Sequence, residues 1–256
     1  MSTIATPAIV IRRLDYGDYD RIVTLLTCKN GRQTVIAKSA RRSKKRFGGI
    51  LELFYIVEAV VKTGGRGLPM LMEASLIRSM FNIAADIRKT AYASYWAELV
   101  YMGSEEQVPQ EALYQLLAYC LTALDTGDVS AERLSILFQM RYLDLAGLCP
   151  NLERCSGCAA DACSGRGFTV NVDLKKGGIV CEKCASYSAD AGTPGLAKGT
   201  LKQLQWLTRA DVRTALRVRF TAGAIRECLS FLEAFVCYHM GKDPRSLQFL
   251  RQIRRK

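Results

Sequence analysis

The amino-acid sequence predicts an α+β protein in which a small β-barrel precedes a helical domain that is interrupted by a cysteine-rich insert. Residues 1–80 consist of short β-branched runs separated by turns, and the helical period appears only after Phe81. Residues 148–195 combine glycines with two closely spaced pairs of cysteines. We therefore divide the chain into a barrel (1–80), two helical parts (81–147 and 196–256) and the insert between them.

The first 80 residues contain about five short strands. "PAIVIRRLDY" and "RIVTLLTC" are rich in β-branched residues, and Asn30-Gly31 is a strong hairpin signal because both residues tolerate positive φ. "ILELFYIVEAVVKTG" predicts one long strand, and "PMLMEASLIRS" predicts another beyond the turn "GGRG". Five strands without a long helix match an OB-type barrel. An SH3-like barrel is the alternative, and the strand pattern alone does not distinguish the two.

Helical periodicity begins after Phe81 and returns after the insert. "DIRKTAYASYWAELVYM" places five apolar residues on one face: Ile87, Ala91, Tyr95, Leu99 and Met102. Pro109 can open a second helix, which closes at Gly127, and "SAERLSILFQMRYLDLAG" predicts a third. "GTLKQLQWLTRA" and "AGAIRECLSFLEAFVCYHMG" predict helices beyond the insert, and a short basic tail, "SLQFLRQIRRK", follows.

The insert carries a strong metal-binding signal. "CSGC" at 155–158 and "CEKC" at 181–184 are two C-x-x-C pairs, and two such pairs complete a tetrahedron of thiolates around one metal ion. We expect one structural zinc per chain, held by Cys155, Cys158, Cys181 and Cys184. A redox dithiol explains two pairs of cysteines less well than a structural zinc does. A catalytic zinc would need an open coordination position, whereas four thiolates fill the shell.

The remaining cysteines need a separate explanation. Cys149 and Cys163 lie near the two pairs without completing a third, although either could replace a ligand. The other four lie in apolar strand or helix patterns, where core packing is the better interpretation: Cys28, Cys120, Cys228 and Cys237. No stretch approaches the ~20 apolar residues of a membrane span, and the start of the chain lacks the pattern of a signal peptide. We therefore expect a protein of the reducing cytoplasm, where disulfide frameworks are rare.

Positive charge is concentrated at the two ends of the chain. The formal net charge is +12, and it divides into +8 for residues 1–80, −5 for 81–197 and +9 for 198–256. The densest part is "SARRSKKRFGG", between the third and fourth predicted strands. We expect this loop and the lysine just before it to bind DNA phosphates through six cations: Lys38, Arg41, Arg42, Lys44, Lys45 and Arg46. Phe47 would offer a ring on which a base can stack, and the alternative is a solvated loop whose Phe47 packs inward.

Motifs for catalysis are missing from the sequence. The only histidine is His239, and neither a phosphate-binding "GxxxxGK[ST]" motif nor a nucleophile elbow is present. A binding protein is therefore a better hypothesis than an enzyme.

The order of these features resembles one bacterial family. The barrel segment "YGDYDRIVTLLTCKNGRQTVIAKSARRSKKRFGGILELF", the helices, and "GLCPNLERCSGCA" with "GGIVCEKC" are similar to RecO, the family of recombination mediators. The resemblance implies an OB-fold, a zinc module on the same four cysteines, and no catalysis. It also implies binding of single- and double-stranded DNA, strand annealing, and partnership with RecR and the tail of the single-strand-binding protein SSB. Together these partners help RecA to load, which implies a nucleoid-associated protein of the cytoplasm.

No short motif marks the residues that contact SSB, so we infer a contact site from the chemistry of the SSB tail. An acidic tail with an apolar end needs an apolar pocket with a cationic rim. The helical part after the insert offers a rim of Arg209, Arg213 and Arg217. It also offers apolar residues that could instead be core: Leu204, Trp206, Leu207, Phe231 and Phe235. Two other functions stay open at this point, a zinc-containing nucleic-acid-processing enzyme and a zinc-ribbon transcription regulator.

Overall fold

The computed structural model describes residues 2–43, 45–65, 67–162, 167–186 and 195–255. The side chains of Arg213 and Arg255 lie outside that description. The chain forms two compact units, one of residues 1–126 with 245–256 and one of residues 127–244. The four-part division of the chain at residues 80, 147 and 195 stays a prediction.

The first unit contains a closed five-stranded barrel. Its strands are β1 (Ser2–Tyr16), β2 (Asp20–Thr27), β3 (Gly31–Ala37), β4 (Ile56–Thr63) and β5 (Met70–Arg78). The strand order is β1-β2-β3-β5-β4, and β1 closes the barrel because it pairs with β4 along its first half and with β2 along its second. β1 bends at an irregularity between Val10 and Arg12, as strands at barrel corners do. The predicted OB-like fold is therefore confirmed.

Apolar side chains of the segment between β3 and β4 are buried, and two of them, Phe47 and Leu51, belong to the barrel core. The prediction of a strand from Ile50 is wrong, because β4 begins only at Ile56. Leu51 and Phe54 turn inward and are buried, and Phe54 adopts a φ of 71°. Apolar residues in this segment therefore fill the barrel rather than continue the sheet.

The remaining elements follow in chain order. The helices are α1 (Phe81–Ala85), α2 (Ile87–Gly103), α3 (Glu111–Thr126), α4 (Ala131–Leu145), α5 (Glu182–Ala185), α6 (Lys198–Arg209), α7 (Val212–Ala215), α8 (Ala222–Met240) and α9 (Arg245–Arg255). The strands are β6 (Thr169–Asp173), β7 (Gly178–Val180) and β8 (Leu196–Ala197), which form one small sheet in the order β7-β6-β8. No helix in the described ranges combines the length and the apolar character of a bilayer-crossing segment.

A side-chain cap explains where α2 begins, and the last helix of the chain was not predicted from the sequence. The carboxylate of Asp86 accepts hydrogen bonds from the N–H groups of Arg88 and Lys89, which caps α2. The expected basic tail is instead helix α9, which packs against α2 with Leu247 and Leu250 buried. Its apolar positions recur at helical spacing, but the many arginines between them hide this pattern.

Candidate nucleic-acid interface and metal centre

The four predicted cysteines converge in the second unit. The Sγ atoms of Cys155, Cys158, Cys181 and Cys184 all lie within 4.8 Å of one another. The Sγ atoms of Cys158 and Cys181 are 3.7 Å apart. Thiolates about 2.3 Å from a tetrahedral ion are themselves about 3.8 Å apart, so the cluster has the dimensions of a four-thiolate metal site.

Short local contacts build the site. The Ser156 N–H donates to the carbonyl of Ile179, which holds the first cysteine pair against β7. The Sγ of Cys155 accepts hydrogen bonds from the N–H groups of Gly157 (3.4 Å) and Cys181 (3.3 Å). Burial raises the pKa of Cys155, but the N–H groups around its sulfur outweigh burial and lower that pKa to about 6. These donors favour a thiolate, the form in which cysteine binds a metal.

A glycine is required where the two cysteine pairs meet. A Cβ atom at Gly157 would lie 2.9 Å from the Sγ of Cys184. Real Cβ contacts are longer than this, so the Sγ of Cys184 would have to move away from an added side chain. The second of the two residues between Cys155 and Cys158 must therefore be small for the sulfurs to converge.

The other cysteines stand apart from this cluster. Cys120 and Cys228 are buried in the helices, as predicted, and burial raises the pKa of Cys228 to about 12. Cys28 and Cys237 are half-buried, and Cys149 is exposed. Cys163 lies outside the described residues, so its proposed exchange with a ligand stays a prediction.

The basic segment, which we define as residues 38–46, is fastened to the turn between β1 and β2. The Nζ of Lys38 lies 2.8 Å from Oδ2 of Asp20, whose Oδ1 accepts a hydrogen bond from the Ser39 N–H. Arg41 Nε lies 3.7 Å from Oδ2 of Asp15. Hydrogen bonds from Lys38 and the Ser39 N–H hold the pKa of Asp20 below its ordinary value, so Asp20 is ionised at neutral pH. Lys38 and Arg41 are thus partly neutralised by carboxylates.

Three cations of the segment are available to another partner. Arg42, Lys45 and Arg46 are exposed, and among the described residues they form no ion pair. The guanidinium of Arg42 lies over the ring of Tyr19, and Arg46 donates to the carbonyl of Lys38 at 2.9 Å. Lys44 lies outside the described residues. The exposed charge of the segment is therefore carried by these three side chains.

Phe47 is not on the surface, which corrects the expectation that a base stacks on its ring. Its side chain is 2% exposed and belongs to the barrel core with Leu51. Burial of a phenylalanine contributes roughly 1.5–3 kcal/mol to folding, so the ring would have to leave the core at that cost to meet a base. Phe47 is therefore a core residue that directly follows the charged segment.

The structure adds residues that the sequence reasoning missed. Asp15, Tyr19 and Asp20 lie at the turn between β1 and β2 and contact the basic segment. An open cleft of about 480 Å³ adjoins them, and its lining is Arg21, Ala40, Arg41, Arg42, Ser43, Gly48, Gly49 and Glu52. The motif "YGDYDRIV" holds this turn, but its acidic and aromatic residues resemble an ordinary surface turn until the basic segment is placed beside it.

The structure also corrects the prediction of an apolar pocket in the unit of residues 127–244, which we call the helical unit. Four of the pocket's five apolar residues are core side chains with at most 2% exposure: Leu204, Leu207, Phe231 and Phe235. They face the interior because α6 and α8 pack their apolar stripes together. Trp206 is 49% exposed, Arg209 forms an exposed ion pair with Glu153, and Arg217 is exposed. The side chain of Arg213 lies outside the description.

Comparisons with known proteins agree over nearly the whole chain. Residues 1–80 match the family described as Recombination protein O N terminal, and residues 84–248 match Recombination protein O C terminal. The chain is 42% identical over 258 residues to a protein of Desulfatibacillum aliphaticivorans named "DNA repair protein RecO", covering 100% of this chain and 99% of that protein.

Two further relatives carry the same name. The protein of Desulfosudis oleivorans is 42% identical over 259 residues, with 99% of each chain covered. The protein of Anaeromyxobacter sp. (strain K) is 34% identical over 257 residues, covering 99% of this chain and 98% of that protein.

Proposed function

This chain belongs to the RecO family of DNA repair and recombination proteins, and we propose that it acts as a recombination mediator without catalytic activity of its own. It binds single- and double-stranded DNA and anneals complementary strands. With RecR it helps RecA to load on single-stranded DNA that is coated with SSB. It works in the cytoplasm, on the nucleoid.

The exposed cations of the basic segment are the observation that carries this proposal. Arg42, Lys45 and Arg46 project from an OB-like barrel, a fold that binds single strands along a positively charged face. Annealing requires the charge of two strands to be neutralised while their bases stay free to pair. Contacts to phosphates meet this requirement because they carry no sequence information.

The metal in this proposal is zinc, one per chain, and its role is structural. Four thiolates fill a tetrahedral shell and leave no position for a substrate or an activated water. Cys155, Cys158, Cys181 and Cys184 would hold the ion. Because the two cysteine pairs lie on separate segments of the chain, the ion would link those segments and contribute to folding rather than to a reaction.

Partner binding is proposed for the exposed surface of the helical unit. Trp206 and Arg209 are three residues apart on α6 and therefore share one face. An SSB tail with acidic residues and an apolar end would place its end against Trp206 and its carboxylates near Arg209 and Arg217. The carboxylate of Glu153 now pairs with Arg209, and an acidic tail would take its place.

A strand-annealing assay tests the proposal. Two complementary oligonucleotides, one with a fluorophore and one with a quencher, are mixed with the protein. They are used bare, coated with SSB, or coated with SSB that lacks its acidic tail. We expect faster annealing of bare strands and of strands coated with intact SSB, and a selective loss with tailless SSB. The absence of any acceleration on bare strands would overturn the mediator proposal, whereas equal rates with both forms of SSB would overturn only the tail contact.

A further inference from the structure

An exposed tyrosine, Tyr19, lies beside the basic segment although it is 19 positions from Lys38, where the segment begins. Tyr19 is 40% exposed and belongs to the turn between β1 and β2. The Arg41 N–H donates to the carbonyl of Tyr19 at 3.0 Å, and Arg41 Nη1 donates to the carbonyl of Asp18 at 3.1 Å. These bonds fix the turn against the segment, so the ring and the cations form one surface.

The guanidinium of Arg42 lies directly on this ring. Its central carbon is 3.4 Å from the ring centroid of Tyr19, and Nη2 donates to the tyrosine Oη at 2.5 Å. Both contacts belong to one guanidinium, so Arg42 lies over the ring of Tyr19 and is held there by the tyrosine hydroxyl. Tyr19 and Arg42 therefore form one aromatic and cationic surface that is open to solvent.

A cationic cleft adjoins this surface. Arg42 itself lines the cleft of about 480 Å³, together with Arg21 and Arg41. Its one acidic side chain among the described lining residues is Glu52, which forms ion pairs with Arg13 and Arg21. The cleft can therefore accept an anion the size of a phosphate.

From this juxtaposition we propose that Tyr19 and Arg42 stack on an unpaired base of single-stranded DNA while the cleft receives a neighbouring phosphate. Aromatic rings and arginine planes are the usual partners of splayed-out bases. A duplex keeps its bases stacked on one another and cannot use such a surface. This inference rests on the proposed function and deepens it, since it assigns the base contact to Tyr19 in place of the buried Phe47.

The test compares three variants on three probes. Tyr19→Leu removes the ring but keeps an apolar side chain, and Tyr19→Phe keeps the ring but loses the hydroxyl. Tyr16→Leu is the control, because Tyr16 is an exposed tyrosine at the end of β1 without an arginine over its ring among the described contacts. The probes are a fluorescent oligothymidylate of about 12 nucleotides, an abasic strand of the same length and a duplex. Affinity is measured by fluorescence anisotropy, and folding is checked by circular dichroism.

We expect Tyr19→Leu to weaken binding of the oligothymidylate by about fivefold or more, the equivalent of roughly 1 kcal/mol for one stacked base. Affinity for the abasic strand and the duplex should not change, and Tyr19→Phe and Tyr16→Leu should resemble the parent. An equal loss on the abasic strand would mean that Tyr19 only positions Arg42, and no loss on any probe would mean that no base stacks there. If the parent protein binds DNA, either of these two results overturns the inference. Failure of the parent to bind any probe would instead overturn the proposed function.

Discussion

Gly157 controls how closely the two cysteine pairs can approach. Its N–H donates to the Sγ of Cys155, and its missing side chain leaves room for the Sγ of Cys184. One residue thus supports one sulfur through a hydrogen bond and makes space for another. The sequence shows Gly157 only as a small residue inside a C-x-x-C motif, and the distances explain why it must be small.

We therefore predict that Gly157→Ala weakens metal binding by roughly ten- to a hundredfold, the usual effect of disturbing the residues that support metal ligands. The added Cβ would push Cys184 away from the other sulfurs. Gly167→Ala is the matched control, because its Cβ would meet nothing closer than 3.7 Å. Affinity can be measured by competition with a chromogenic zinc chelator, and equal affinities of the two variants would contradict the crowding at Cys184.

The basic segment contains cations in two different settings. The chain passes directly from the segment into the barrel core at Phe47, whereas the segment itself carries cations of two kinds. Lys38 and Arg41 pair with carboxylates, while Arg42, Lys45 and Arg46 have no such partner among the described residues. The net attraction for DNA is therefore smaller than the number of positive charges suggests.

We predict that replacing Arg42, Lys45 and Arg46 together by alanine lowers the salt dependence of single-strand binding. The slope of log affinity against log salt should fall by up to about 2, since each lost phosphate contact removes about 0.7. Binding should weaken alike for all sequences.

The matched control removes three exposed cations from the helical unit, Lys202, Arg226 and Lys242. Anisotropy titrations at several salt concentrations measure both triple variants. If the two variants lose the same slope, the attraction comes from net charge rather than from this element.

The basic segment and the cysteine cluster lie in different units of the molecule. The barrel and its basic segment belong to the unit of residues 1–126 with 245–256, and the cysteine cluster belongs to residues 127–244. Zinc binding to four-ligand peptides releases roughly 10–16 kcal/mol at neutral pH, much of which appears as folding. Loss of the metal should therefore destabilise the second unit first.

We predict that purified protein contains one zinc per chain and that Cys181→Ser lowers both its zinc content and its melting temperature. Each kcal/mol lost should lower the melting temperature by roughly 2–8 °C for units of this size. Annealing should decline only as far as the protein misfolds. Cys149→Ser is the control, because this exposed cysteine lies outside the cluster. Elemental analysis that finds well under one zinc per chain in the parent would contradict a structural metal.

Features that depend on neighbours along the chain could be predicted from the sequence. The C-x-x-C pairs, the strand runs of the barrel and the period of α2 and α8 are local patterns, and they were enough to predict the OB-like fold and the cysteine cluster. Local pattern failed where charge obscured it, as in α9, whose two buried leucines lie in a segment with four arginines.

The tertiary structure decided which side of each element faces water and which distant residues meet. Phe47 lies among cations in the sequence but inside the barrel in the fold, and Phe231 is core rather than the wall of a pocket. Tyr19 and Arg42 are 23 residues apart, and they meet because the turn after β1 lies against the segment that follows β3. Contacts of this kind depend on strand register and barrel closure, which arise from the packing of the whole unit rather than from the residues near either partner.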